Sequence, residues 1–287
     1  MVTEVVNLQL IEEIKKLYVE DKQKQLHIKK MRENEFCLFC DKLQSIYKQE
    51  VENVYNKHID PFLDEYFFLK EKSSLQIIDK LKYENYHSLF LEYLWGKEQN
   101  FGAEAFQDFI NDALSNNDRE PWGNTITQSS YKIIPNKPIK GQRKKELNRK
   151  RPDLIFVDKA NKWCVIIENK IESKVSLSDR SNNRSQLDIY FDYGERKYKE
   201  FHYRLYILLS YTDNQEHRKG EWIYANYYQV FKSLLKFHTE DSRLCDYLQT
   251  LFALLFPNEQ MDYYSSTRSL CQGMLFYNRV ISKIKIK

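Results

Sequence analysis

No glycine occurs before Gly96 and no proline before Pro61. A stretch this long without the two strongest helix breakers favours long helices over a turn-rich fold. Apolar residues recur along it at three- and four-residue steps, at Phe36, Phe39, Cys40, Leu43, Ile46 and Tyr47. The pattern runs on through Val51, Val54, Tyr55, Ile59, Phe62, Leu63 and Tyr66. This predicts a helical arm over residues 1–74, ahead of a main domain over 75–287. Two arrangements suit the arm: a helical hairpin packed on the domain, or a coiled coil that engages a second copy or a partner protein. Leu and Ile are not sustained at both heptad seams, so neither prevails. The CLFC pair, Cys37 and Cys40, lies along the same stripe, which favours a core position over a redox or metal site.

The chain has 287 residues, enough for one large domain with an elaborated arm. Its 21 Tyr, 17 Phe and only 7 Gly point to aromatic packing between helices, in a mostly helical α/β protein. With 45 basic and 41 acidic side chains the net charge is +4, so any basic partner-binding surface must come from local clustering. The N-terminus, MVTEVVNLQLIEEIKK, has acidic residues and no continuous apolar run, unlike a secretory signal. No stretch approaches the roughly 20 apolar residues of a membrane span. Five scattered cysteines suit a reducing, cytoplasmic compartment better than a disulfide framework.

Beyond the arm, one helix is predicted over residues 75–95 and another over FGAEAFQDFINDAL. TITQSSYKII, ending at Pro135, reads as a strand. RPDLIFVDKANKWCVIIENK, residues 151–170, reads as strand, turn and strand. SQLDIYFDYGERKYKE follows as a helix despite Gly194, then YRLYILLS from Tyr203 as a strand, then helices at NYYQVFKSLLKF and DSRLCDYLQTLFALLF. The order gives an α/β fold with a helical periphery.

A hairpin turn centred near Ala160 and Asn161 sets Asp153 opposite Glu168, because antiparallel partners keep a nearly constant sum of residue numbers. Alternation along a strand sends Glu168 and Lys170 to one face and Asn169 to the other. Two adjacent carboxylates repel, and a shared proton or a divalent cation with hard oxygen ligands, typically Mg²⁺, relieves this. Such an ion polarises phosphoryl oxygens and acidifies water, and an amine beside it offsets charge on a phosphorane-like transition state. From spacing alone, a strand-end salt bridge between Lys170 and either carboxylate explains the three residues as well as phosphodiester hydrolysis does.

Arg151-Pro152-Asp153 followed by Ile166-Ile167-Glu168-Asn169-Lys170-Ile171 resembles the PD-(D/E)XK nuclease superfamily. Gln186-Leu187-Asp188-Ile189-Tyr190 is similar to the QxxxY motif of its RecB-like members, and Glu84-Asn85-Tyr86-His87-Ser88-Leu89-Phe90-Leu91 to an E...HS..L helix of a bacterial subgroup. The resemblance spans roughly residues 80–212. It implies a restriction-endonuclease-like αβββαβ core, with the long N-terminal arm and the C-terminal helices outside it. It also implies that Asp153 and Glu168 bind Mg²⁺, for which Mn²⁺ substitutes, that Lys170 positions the nucleophilic water, and that Glu84 completes the metal site. Gln186 and Tyr190, one helical turn apart, would contact substrate, although helix packing explains Tyr190 slightly better. Relatives with an iron–sulfur cluster carry closely spaced C-terminal cysteines; Cys245 and Cys271 stand apart, so no cluster is expected. The polar segment from Glu172 to Ser185 is longer than usual and leaves the placement of Gln186 open.

From Lys137 to Arg151 the chain has eight basic residues and one acidic one, Arg143, Lys144, Lys145, Arg149 and Lys150 among them. Beside a phosphodiester-cleaving site this run would hold a nucleic-acid backbone without reading sequence, unless it is only a solvated loop. Tyr131 and Trp163 near it are candidates for base stacking. The resulting expectation is a Mg²⁺-dependent deoxyribonuclease, in bacterial phage defence or DNA processing. The alternative is a catalytically silent nucleic-acid-binding or scaffold protein of the same fold.

Overall fold

A computed structural model describes residues 2–134, 152–171, 177–179, 184–211, 221–256 and 267–284. The chain divides into two units, Met1–Asn56 and Lys57–Lys287.

The first unit is a single helix, α1, Val2–Val54. It carries i,i+4 pairs such as Lys29 with Glu33 at 3.9 Å, and Gln25 donates to Asp21 at 2.9 Å. Residues 16–50 are all exposed, including Leu17, Ile28, Phe36, Phe39, Leu43 and Ile46. Of the two arrangements considered for the arm, no hairpin occurs within Val2–Val54, which is one helix, and the expected core position of the stripe bearing Cys37 and Cys40 is corrected, because it is exposed. Periodicity marks an apolar face but does not say what covers it.

In the second unit the helix expected over 75–95 is broken in two. α2, Asp60–Glu65, precedes α3, Ser74–Ile77, which opens on a capping box between Ser73 and Gln76. Asp79 then turns left-handed, with φ of 54°, and α4 begins afresh at Glu84 and ends at Leu94. α5, Gly102–Ser115, follows directly, its first residue so close to the Gly96 carbonyl that a Cβ would collide. The strand expected within TITQSSYKII shortens to β1, Lys132–Ile134, because Thr125 to Ser129 close hydrogen-bonded turns.

β2, Leu154–Asp158, and β3, Trp163–Lys170, form the hairpin, with Leu154 opposite Ile167 and Asp158 opposite Trp163. The turn is tied by Asp158, whose carboxylate accepts from Asn161 N at 2.8 Å, Asn161 Nδ2 at 3.0 Å and Ser130 N at 2.7 Å. The segment between β3 and the next helix contains two short paired strands, β4, Leu177–Asp179, and β5, Arg184–Ser185. α6, Gln186–Lys197, crosses over to β6, Tyr203–Ser210, which pairs parallel to β3. Gly194 sits within α6 because a Cβ there would lie 2.7 Å from Tyr206 Cε1. β7, Trp222–Asn226, was not expected; it pairs parallel to β6 and completes a sheet in the order β1-β2-β3-β6-β7. Its outer edge is met by Asn117, whose amide accepts from Tyr224 N and donates to Tyr224 O.

α6 covers one face of this sheet, where Leu187 and Tyr190 pack with Ile155, Val157, Cys164, Ile166 and Leu208. On the other face, Phe106 of α5 stacks on Phe156 at 4.1 Å and Trp95 meets both Phe109 and Phe156. α7, Tyr227–Leu235, α8, Ser242–Leu255, and α9, Thr267–Arg279, complete the described elements. The result is a restriction-endonuclease-like α/β fold with a long N-terminal helix. Tyr131 and Trp163, considered above for base stacking, are buried and pack on each other with centroids 5.6 Å apart, so both belong to the core.

Candidate active site

The hairpin register carries one step beyond Leu154 and Ile167 to bring Asp153 to Glu168 at the end of β3. Asp153 is fixed there by Asn169 N, which donates to its Oδ2 at 2.7 Å. Glu168 is 1% exposed, its Oε1 lies 2.7 Å from Lys170 Nζ, and its carboxyl shares a side-chain hydrogen bond with Asp153. Burial, and then the charge of Asp153, hold the Glu168 carboxyl well above its ordinary range. Burial also raises Asp153, against the pull of the Asn169 amide and Lys170. For Lys170, burial disfavours the ammonium, but Glu168, Asp153 and Glu84 together outweigh it and raise its pKa.

Glu84 reaches this cluster from the first turn of α4, where a carboxylate also meets the positive end of the helix dipole. Its Oε1 accepts from Ile171 N at 2.9 Å, and its Oε2 is 3.6 Å from Lys170 Nζ. Lys170 thus stands between Glu84 and Glu168. Leu81 precedes α4, and its carbonyl accepts from His87 Nε2 at 2.7 Å.

At the start of α6, Ser185 and Asp188 form a capping box. Gln186 Nε2 donates to Tyr190 Oη at 2.7 Å. The Tyr190 ring is fully buried under the face of the sheet that carries Ile166 and Glu168. Arg143, Lys144, Lys145, Arg149 and Lys150 lie outside the described residues.

Behind the site is a polar network that joins Glu84, His87 and Ser88 of the E...HS..L helix to Asn169, Tyr227 and Tyr247, which the motifs do not specify. Asn169, fully buried, donates through Nδ2 to Glu84 O at 3.1 Å and to Ser88 Oγ at 3.3 Å, and its Oδ1 accepts from Tyr227 Oη at 2.7 Å. His87 Nδ1 meets Tyr247 Oη at 3.1 Å. Because Leu81 O can only accept, Nε2 carries the proton and Nδ1 accepts from the tyrosine. Beyond the E...HS..L resemblance, the sequence signal for this network is an amide among apolar strand residues, since a buried Asn needs partners.

Among the described residues no group of three or more His, Cys, Asp or Glu side chains is spaced to hold a metal ion. The pair Asp153 and Glu168 nevertheless suits a hard divalent cation. Both are carboxylates, both are pushed towards the protonated form by burial, and they lie close enough to share a hydrogen bond, a position a cation could take instead of the proton.

A family model described as the PD-(D/E)XK nuclease superfamily matches residues 74–249. The chain belongs to this superfamily, whose members are usually nucleases that act on nucleic acid with divalent metals. No curated protein and no solved structure matches the chain. No helix among the described residues is long and apolar enough to cross a membrane.

Proposed function

We propose that the chain is a Mg²⁺-dependent nuclease that hydrolyses phosphodiester bonds of DNA, with Asp153, Glu168 and Lys170 as its catalytic set. The observation that carries this reading is the pair of carboxyls at the end of β3, Asp153 and Glu168, both raised by burial and hydrogen-bonded to each other, with the largely buried ammonium of Lys170 2.7 Å from Glu168. Asp153 and Glu168 would hold the cation, with Glu84 adjoining them across Lys170. When bound, the cation supplies Lewis acidity towards a phosphoryl oxygen. Lys170 would orient the attacking water by donating to it and would offset negative charge as the phosphorus becomes five-coordinate. Gln186 would form a substrate contact of RecB-like type, oriented by its hydrogen bond to Tyr190, whose ring belongs to the core. The basic run from Lys137 would hold the phosphate backbone. Neutralising Arg143, Lys144, Lys145, Arg149 and Lys150 should then weaken binding to all sequences and flatten its salt dependence.

A second reading, a silent nucleic-acid-binding protein, is favoured by the 2.7 Å Lys170–Glu168 ion pair, which satisfies part of the site without a metal. One assay separates them. Linear, circular and single-stranded DNA, and RNA, are incubated with the purified chain in Mg²⁺, Mn²⁺, Ca²⁺ or EDTA. Cleavage in Mg²⁺ and Mn²⁺ that EDTA abolishes supports the nuclease. Binding without cleavage in either ion supports the silent protein, and cleavage in EDTA overturns the metal assignment.

The exposed apolar residues of α1 would serve a second copy or a partner protein, a proposal that light scattering of the full chain addresses. Phage defence or DNA processing is the setting we propose for the activity, to be tested by gene neighbourhood and phage challenge.

A further inference from the structure

The residue between Glu168 and Lys170 points away from them and is the most fully bonded side chain near the site. Asn169 uses both amide protons, on Glu84 O and Ser88 Oγ, and takes the Tyr227 hydroxyl proton on Oδ1. Ser88 Oγ itself donates to Glu84 O at 3.1 Å, so the carbonyl of Glu84 receives two bonds. Asn169 and Tyr227 are fully buried and Ser88 nearly so, so a lost partner leaves a stranded polar group and is not compensated by water.

These bonds tie three elements together at one point. Asn169 is the penultimate residue of β3, Glu84 opens α4 with Ser88 one turn on, and Tyr227 opens α7. The Glu84 backbone is thereby pinned to the strand end at the same residue whose side chain reaches Ile171 N and Lys170. We propose that Asn169 is a positioning residue and Tyr227 its anchor, a latch that sets the Glu84 carboxylate against the end of β3. This inference deepens the nuclease reading and rests on it for its catalytic meaning. The latch itself is defined by geometry alone.

The latch is tested by two variants and two readouts. Tyr227→Phe removes one hydroxyl and keeps the ring; Asn169→Leu removes the amide at similar volume. The first readout is amide hydrogen exchange at Ile171, whose N–H is held by Glu84, with Ile207 in the middle of β6 as the reference. Exchange at Ile171 should rise roughly 3- to 10-fold in Tyr227→Phe, the range for one neutral hydrogen bond, and about a hundredfold in Asn169→Leu, with Ile207 unchanged. Unchanged protection at Ile171, or an equal rise at Ile207, overturns the latch. The second readout is Mg²⁺ affinity by calorimetry in a double-mutant cycle. Tyr227→Phe should weaken Mg²⁺ binding severalfold in the native background and not in Glu84→Gln; equal losses in both show that it does not act through Glu84. If the native chain binds no Mg²⁺, the metal reading fails and the exchange result still decides the latch.

Discussion

The end of β3 has two faces with opposite characters. Towards α6 it presents Glu168 and Lys170, where burial pushes the Glu168 and Asp153 carboxyls up and disfavours the Lys170 ammonium. Towards α4 and α7 it presents Asn169, with both amide protons engaged. A strand imposes this alternation, so the two faces sit one residue apart and share the same backbone. The difference shows how the fold tolerates an unfavourable charge cluster. The reactive face crowds charges that burial disfavours, and a saturated polar network directly behind it keeps the backbone from relaxing.

This contrast breaks first at the reactive face. Asp153→Ala, Glu168→Ala and Lys170→Ala should each lower the initial cleavage rate at least about a hundredfold, while far-ultraviolet circular dichroism stays native. A variant that cuts at the native rate removes that residue from the catalytic set.

The back face should reveal itself through pH. Burial lowers His87 to about 4, in keeping with the neutral tautomer that donates to Leu81 O and accepts from Tyr247. In the unfolded chain its pKa returns towards the ordinary 6.5. The unfolded state therefore binds the proton first as pH falls. The stability that neutral His87 contributes is present above pH 6.5 and is lost between 6.5 and about 4, by up to ~3 kcal/mol. Urea unfolding across this range should show a shallower acid loss in His87→Gln than in the native chain. Parallel curves would show that His87 adds nothing to the acid sensitivity of this face.

The smallest effect is expected where the two roles overlap. Tyr190→Phe keeps the buried ring and removes the 2.7 Å bond from Gln186. Stability should change by no more than about 1 kcal/mol, while KM for DNA rises severalfold as Gln186 loses its orientation. An unchanged KM would make the pair a packing feature of α6.

The legible parts of the molecule are those governed by local rules. Asp158 and Asn161 close the β2–β3 turn, and the turn sets the register. The apolar run at Tyr203 matches β6 from its first residue to its last. β7 escaped notice because five residues, WIYAN, form a strand only when the edge of β6 is there to pair with them. The break at Asp79 was hidden by apolar residues on either side that continue a helical spacing.

The sequence by itself determined that Asp153 meets Glu168 and that Asn169 turns away from Lys170, because a tight turn and a two-residue period leave no other arrangement of the hairpin. Only the tertiary structure decided what lies beside them. Glu84 meets Ile171 across 87 residues of chain, Tyr227 meets Asn169 across 58, and the aromatics Tyr131 and Trp163 turn into the core. Periodicity tells which face of an element is apolar, or polar, or crowded with charge. The partner that covers that face is chosen by packing between distant segments, which no local pattern records.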